Sequence, residues 1–177
     1  MTKTLIISGS PRKGNTELIL NKLYDSIETE KELILLRTKN IKRCSGCFFC
    51  HDNKACSIQD DMQEIYQKIL AADIIVLGTP NYFDNVTGLT KDFIDRTNPF
   101  YETDKLEGKK LITVVVGGGE IEHSKRIGEH ALRYFADAHK LDIIGNYYFQ
   151  ALFPKDAEGD NNSSDVIDQI INQINNL

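Results

Sequence analysis

The sequence has no apolar run approaching the ~20 residues of a membrane span, and its N-terminal stretch Leu5-Ile6-Ile7 is too short for the core of a signal peptide. The expected location is therefore the cytoplasm. No basic stripe runs through the chain, and a formal net charge of −5 speaks against nucleic acid or an anionic membrane as the main partner. Internal repeats and low-complexity tracts are absent. The four histidines, His51, His123, His130 and His139, are scattered without a His-x-x-x-His pair, so they do not spell a catalytic metal site. No serine or cysteine protease arrangement emerges either. Cysteine is missing everywhere except one short segment. What remains is a chain of 177 residues, 41% hydrophobic and 27% charged, which suits one domain over residues 1–177 with a sizeable core.

The most informative stretch is Ser8-Gly9-Ser10-Pro11-Arg12-Lys13-Gly14-Asn15-Thr16. It follows the apolar run Thr4 to Ile7 and precedes a helical pattern with Ile19, Leu20, Leu23 and Ile27 on one face, so it reads as a strand-to-helix turn. The first N–H groups of a helix have no internal partner and sit at the positive end of its dipole, which favours a phosphate there. Ser10 and Thr16 offer hydroxyls, Asn15 an amide, Arg12 a planar fork, and Gly14 a close backbone approach. The triphosphate pattern G-x-x-x-x-G-K-[ST] fails because Asn15 stands where its lysine belongs. The dinucleotide pattern fails too, since the glycine spacing is wrong and no acidic residue ends the second strand. A monophosphate fits better, and FMN is the monophosphate cofactor typical of an open α/β sheet.

Strand and helix patterns alternate along the chain. Leu33 to Leu36, Ile74 to Leu77, Leu111 to Val116 and Ile143 to Phe149 read as further strands. Met62, Ile65, Tyr66, Ile69 and Leu70 mark a helix capped near Asp60 and Gln63, and Leu89, Phe93 and Ile94 a shorter one. Ile127, Ala131, Leu132, Phe135 and Ala138 mark the next, with Ser124 as its expected cap. A polar loop over Asp156 to Ser164 leads to a last helix through Val166, Ile167, Ile170, Ile171 and Ile174. Five strands alternating with five helices imply a three-layer, doubly wound α/β sandwich, a five-stranded parallel sheet with helices on both faces. Ligands of such a sheet bind beyond the carboxyl ends of its strands. That rule joins the phosphate loop to Pro80, Asn81, Tyr82, Phe83 and Asn85 after the third strand and to Gly117, Gly118 and Gly119 after the fourth. Flat side chains, amides and bare backbone are the mixture a flavin ring needs.

The cysteines Cys44, Cys47, Cys50 and Cys56 follow the spacing C-x2-C-x2-C-x5-C. In a reducing cytoplasm such crowding argues for metal ligation or redox chemistry rather than structural disulfides. The spacing is similar to a [4Fe–4S] ligand set, with a longer last gap than the ferredoxin version; zinc, supplemented by His51, and free thiols are the alternatives. The phosphate loop, the cysteine cluster followed by Asp60-Asp61-Met62, and Gly78-Thr79-Pro80-Asn81-Tyr82 followed by Gly88, Lys91 and Phe93-Ile94-Asp95-Arg96 together resemble the NADPH-dependent FMN reductase family, in particular its iron-sulfur flavoprotein branch. The resemblance covers Lys3 to Gly119 and implies a flavodoxin-like fold, FMN, and NAD(P)H as co-substrate. It also implies that Ser10, Arg12, Gly14, Asn15 and Thr16 contact the phosphate, with Pro80 to Phe83 near the ring. The flavin would carry the chemistry, no side chain being needed as acid or base, with a small molecule or a protein as electron acceptor. A flavin-bearing electron carrier or redox sensor is the alternative function. Asp95-Arg96 at a helix end reads as a local ion pair, contact with a neighbouring loop or subunit being the alternative, and Phe100 with Tyr101 as an exposed aromatic patch that a second subunit of a homodimer would cover.

Overall fold

β1 (Lys3–Ser8) sends Leu5 and Ile7 into one core and Ile6 into the other, and all three are fully buried. A strand covered on both faces belongs inside a sheet. The computed structural model, which describes residues 2–177, places β1 second in a five-stranded parallel sheet of order β2-β1-β3-β4-β5. The other strands are β2 (Glu30–Leu35), β3 (Ile74–Pro80), β4 (Lys110–Gly117) and β5 (Asp142–Gln150). The chain first winds outward to β2, then returns past β1 to β3 and onward, so the winding reverses between β1 and β3. This is the flavodoxin-like order, and its switch point lies at the end of β1.

One face of the sheet is covered by α1 (Asn15–Ser26) and α7 (Asn161–Asn175), whose Ile19, Leu20, Leu23, Ile167, Ile170 and Ile174 pack with Ile6, Val76 and Val114. The other face is covered by α3 (Met62–Ala71), α4 (Gly88–Arg96), α5 (Ile121–Ile127) and α6 (Arg133–Ala138). Their Met62, Ile65, Ile69, Phe93, Ile127 and Phe135 pack with Leu5, Ile7, Ile75 and Leu77. α5 and α6 form one helical passage joined by a π turn at Gly128–Leu132. Glycine there leaves room for the Tyr148 ring, whose hydroxyl oxygen would lie 2.3 Å from a Cβ on Gly128.

Several expectations need correction. β2 starts three residues before Leu33, because Glu30, Lys31 and Glu32 lie on an edge strand where polar side chains reach solvent, Glu30 pairing with Lys3 and Glu32 with Lys3 and Lys68. Ser124 is no cap: α5 begins a turn earlier, and Ser124 is buried inside it. The polar loop before the last helix is shorter than expected, because Asp160 caps α7 by accepting from the Ser163 N–H at 2.8 Å. Phe100 is not exposed. It is 3% accessible and meets the ring of Tyr66 edge-on at 5.4 Å. A short helix inside the cysteine segment, α2 (Phe49–Asn53), was not foreseen.

Candidate functional site

The phosphate loop is fixed from beneath before any ligand is considered. The Gly9 N–H donates to the Gly78 carbonyl at 2.8 Å, and the Thr87 hydroxyl donates to the Gly9 carbonyl at 2.7 Å. Thr87 also caps α4 by accepting from the Thr90 N–H at 3.1 Å, while the Thr90 hydroxyl donates to Thr79 at 3.0 Å. All three threonines are buried, so the end of β1 is locked onto the first turn of α4. Gly9 makes that approach possible, since a Cβ on it would lie 1.9 Å from Thr90 Oγ1.

Above this base, the loops after β1, β3, β4 and β5 enclose a cavity of about 130 Å³. Its walls are Ser10, Arg12, Gly14, Asn15, Thr16, Pro80, Asn81, Tyr82, Val116, Gly118, Ala151 and Leu152. α1 opens onto this cavity with Gly14 at its cap position and no side chain capping it. A helix start without an internal partner is an anion-ready end. Glu17 in the same turn does not oppose an anion, because Arg37 holds its carboxylate through two bonds of 2.8 and 2.9 Å. Nothing in the protein demands glycine at position 14: a Cβ there would meet only Arg12, at 3.6 Å or more, so the space is open toward the cavity.

Not every expected residue faces this cavity with its polar group. The Asn15 amide donates to the Phe153 carbonyl at 2.8 Å and accepts from the Ala157 N–H at 3.4 Å, tying α1 to the loop after β5. The Ser10 hydroxyl donates to the Arg12 carbonyl at 2.7 Å and so shapes the loop. Phe83 lies outside. It and Asp84 have φ of 53° and 54° in a tight turn closed by Tyr82 and Asn85, and the Phe83 ring is fully exposed. Asp84 is anchored to α5 by His123 at 3.0 Å, whose ring holds the Asp84 carboxyl below the usual carboxylate range. Of the three glycines, only Gly118 lines the cavity. A Cβ on Gly117 would lie 2.5 Å from Ser124 Oγ, and one on Gly118 2.4 Å from Leu152 Cδ1, so side chains of the protein itself pack into the space beside both. Gly119 has open space around it. Ala151 and Leu152 were missed, although the strand-end rule, applied to the fifth strand as well, points to them.

The four cysteines line a second cavity, of about 70 Å³, with Ser57, Ile58, Asp95, Arg96, Asn98 and Pro99 among its other walls. Cys44 and Cys47 are exposed, Cys50 and Cys56 half-buried. The Asn98 amide donates to Cys50 Sγ at 2.9 Å, and the Ser57 hydroxyl lies 3.6 Å from Cys47 Sγ, where either group can donate. The backbone N–H of Phe49, with Ser57, holds the Cys47 thiol below its ordinary range. Such donors stabilise thiolate, the form that binds metal. Among the described residues no group of three His, Cys, Asp or Glu side chains is arranged around a single metal ion. The four cysteines instead share the lining of one cavity.

Arg96 closes this segment at its two ends. Its Nη1 donates to the Lys42 carbonyl and to Asp60 Oδ2, both at 2.6 Å, and its Nη2 donates to Asp60 Oδ1 at 3.0 Å and the Ile58 carbonyl at 3.4 Å. The expected local pair with Asp95 does not form; Asp95 pairs with Lys91 instead. Burial alone would weaken the Arg96 charge, but Asp60 holds the guanidinium firmly protonated. The cysteine cavity thus sits at the carboxyl end of α4, whose amino end supports the phosphate loop. The two sites are joined by one nine-residue helix, roughly 13 Å long at 1.5 Å per residue.

A flavodoxin-like sheet with an uncapped helix start at its switch point defines a protein of the doubly wound α/β class, in which ligands bind at that point. The profile of the NADPH-dependent FMN reductase family matches residues 2–155, and the chain belongs to that family. An iron-sulfur flavoprotein of Archaeoglobus fulgidus is 43% identical over 98 residues, which are 54% of this chain and 48% of that protein. The chain therefore spans about half the length of that relative. An iron-sulfur flavoprotein of Methanocaldococcus jannaschii is 33% identical over 148 residues, covering 81% of this chain and 76% of that one. The solved azoreductase of Bacillus anthracis shares the fold, with a TM-score of 0.74 at 11% identity over 100% of both chains. No helix of the described residues is long and apolar enough to cross a membrane.

Proposed function

We propose that this chain is a cytoplasmic FMN-dependent NAD(P)H oxidoreductase that passes electrons on through a [4Fe–4S] cluster held by Cys44, Cys47, Cys50 and Cys56. The observation that carries this reading is the pairing of two differently equipped cavities at the two ends of α4, one fitted for phosphate and one lined by four sulfurs. The names of the relatives, iron-sulfur flavoproteins, support it.

In this reading the N–H groups at the start of α1, the Thr16 hydroxyl and the Arg12 guanidinium bind the FMN phosphate. The enclosed volume is smaller than the ~300–1,000 Å³ of most ligand pockets, so a flavin ring would lie at the mouth, against Tyr82 and Leu152, with one face open to a nicotinamide. Pro80 and Gly118 shape its floor, and Asn81, placed beside Ser124 at 3.5 Å, orients its polar edge. When bound, FMN supplies hydride acceptance and release of electrons singly or in pairs. The cluster supplies one-electron transfer. The protein contributes position and exclusion of water, with no side chain acting as acid or base. The acceptor is a small molecule such as a quinone, nitro compound or free flavin, or a protein.

An absorption spectrum of anaerobically purified protein tests the cofactors, since flavin bands and a broad sulfur-to-iron shoulder are easily separated. Steady-state NAD(P)H oxidation with added acceptors tests the activity. Many turnovers are expected; a single turnover would make the protein a carrier or sensor instead.

A further inference from the structure

Arg96 is 1% accessible, and its Nε is buried with no hydrogen-bond partner. A buried guanidinium N–H without a partner is costly, and structures seldom leave one so. The other nitrogens of the same side chain are fully used on Lys42, Ile58 and Asp60, which flank the cysteine segment on both sides. The side chain lines the cysteine cavity, where Asn98 already donates to Cys50 and Ser57 lies beside Cys47. Asp60, in turn, spends its remaining capacity on the N–H groups of Lys42 and Met62, at 2.9 and 3.0 Å. Asp60 therefore has nothing left to offer Nε. Arg96 lines the cysteine cavity, and the charge of a Cys56 thiolate would reinforce that of the guanidinium.

Resting on the cluster reading above, we propose that Arg96 is the positioning residue of the cysteine site: its Nη groups clasp the two ends of the loop, and its Nε–H donates to a sulfur of the bound iron–sulfur group. A hydrogen bond to sulfur stabilises the more negative, reduced state and raises the reduction potential. Arg96 thereby sets how readily this site takes an electron, in addition to holding the loop.

The experiment compares wild type with Arg96→Lys, and with Arg96→Met combined with Asp60→Leu, all purified without oxygen. The double variant removes both buried charges together, a change that buried pairs often tolerate, so it guards against a single variant that fails to fold. Iron, sulfide and FMN are measured in each, with the midpoint potential of the one-electron couple. The expected result is FMN retained and a potential lower by about 59 mV, a tenfold change in the one-electron equilibrium constant. Loss of iron with FMN fully retained also supports the proposal, through the clasp. Full iron with an unchanged potential in both variants overturns this inference and leaves the cluster reading standing. Wild type without iron or sulfide overturns both.

Discussion

Asp60→Asn isolates the energetic role of the clasp. The side chains of Asp60 and Arg96 are both 0% accessible, so their pairing is not weakened by solvent. The substitution keeps shape and one carbonyl oxygen but leaves the Arg96 charge buried without its counter-ion, and it turns an amide donor toward other donors. Asp60's own burial opposes its ionisation, yet the guanidinium and the N–H groups of Lys42 and Met62 hold its carboxyl below the ordinary range, so the native state uses the charged form. Breaking one partner of a buried pair costs about 3–5 kcal/mol, a large part of the ~5–15 kcal/mol of a typical domain. For a chain of this size each kcal/mol moves Tm by about 2–4 °C, so a fall of roughly 6–20 °C is expected. Urea and thermal unfolding of the flavin-free protein, followed by circular dichroism, provide the assay. A loss below about 1 kcal/mol would refute the reasoning, since that is the range of a solvent-screened pair.

Burial pushes His139 down to about 4, so it is neutral when folded, while the unfolded chain protonates it near the ordinary 6.5. Between these values the unfolded state binds the extra proton; stability is full above pH 6.5 and falls as pH drops toward 4. The loss is about 2 kcal/mol at pH 5, and urea unfolding of His139→Gln, which keeps a partner for Thr97, should show a flatter profile between pH 4 and 6.5. Arg12→Ala with Thr16→Ala should weaken FMN binding by roughly 1.5–3 kcal/mol for the charged contact alone; unchanged affinity in a fluorescence titration of the apoprotein would place the cofactor elsewhere. A homodimer is expected, with the exposed aromatics Phe48, Tyr101 and Tyr134 as the surface for a second copy. Light scattering showing a monomer at micromolar concentration would reject it.

The layers of this fold were legible because strand and helix periods are local: Leu5 to Ile7 and the stripe from Met62 to Ile69 state their burial directly. The strand-to-helix turn from Ser8 to Thr16 was legible for a similar reason, its flanking apolar patterns being local in sequence. What stayed hidden depends on distant partners. Arg96 looked like half of a local pair because Lys91 and Asp95 stand on the same helix, and only folding brings Asp60, 36 residues away, to it. The glycines of the fourth loop suggested room for a ring, whereas the space beside two of them is taken by Ser124 and Leu152, contacts no spacing rule reveals. Phe100 looked like surface because it follows a polar turn, but Tyr66 waits for it across the core.

The central claim is that four cysteines in one cavity hold an iron–sulfur cluster beside a separate flavin site. The most direct measurement is iron, acid-labile sulfide, zinc and FMN per chain in wild type and in Cys50→Ser, both purified without oxygen. The account predicts iron near four per chain in wild type, a sharp fall in the variant, and FMN retained in both, because the phosphate cavity lies at the opposite end of α4. Negligible iron in anaerobic wild type, with FMN bound and NAD(P)H still oxidised, would contradict it and leave a simple flavin reductase with free thiols.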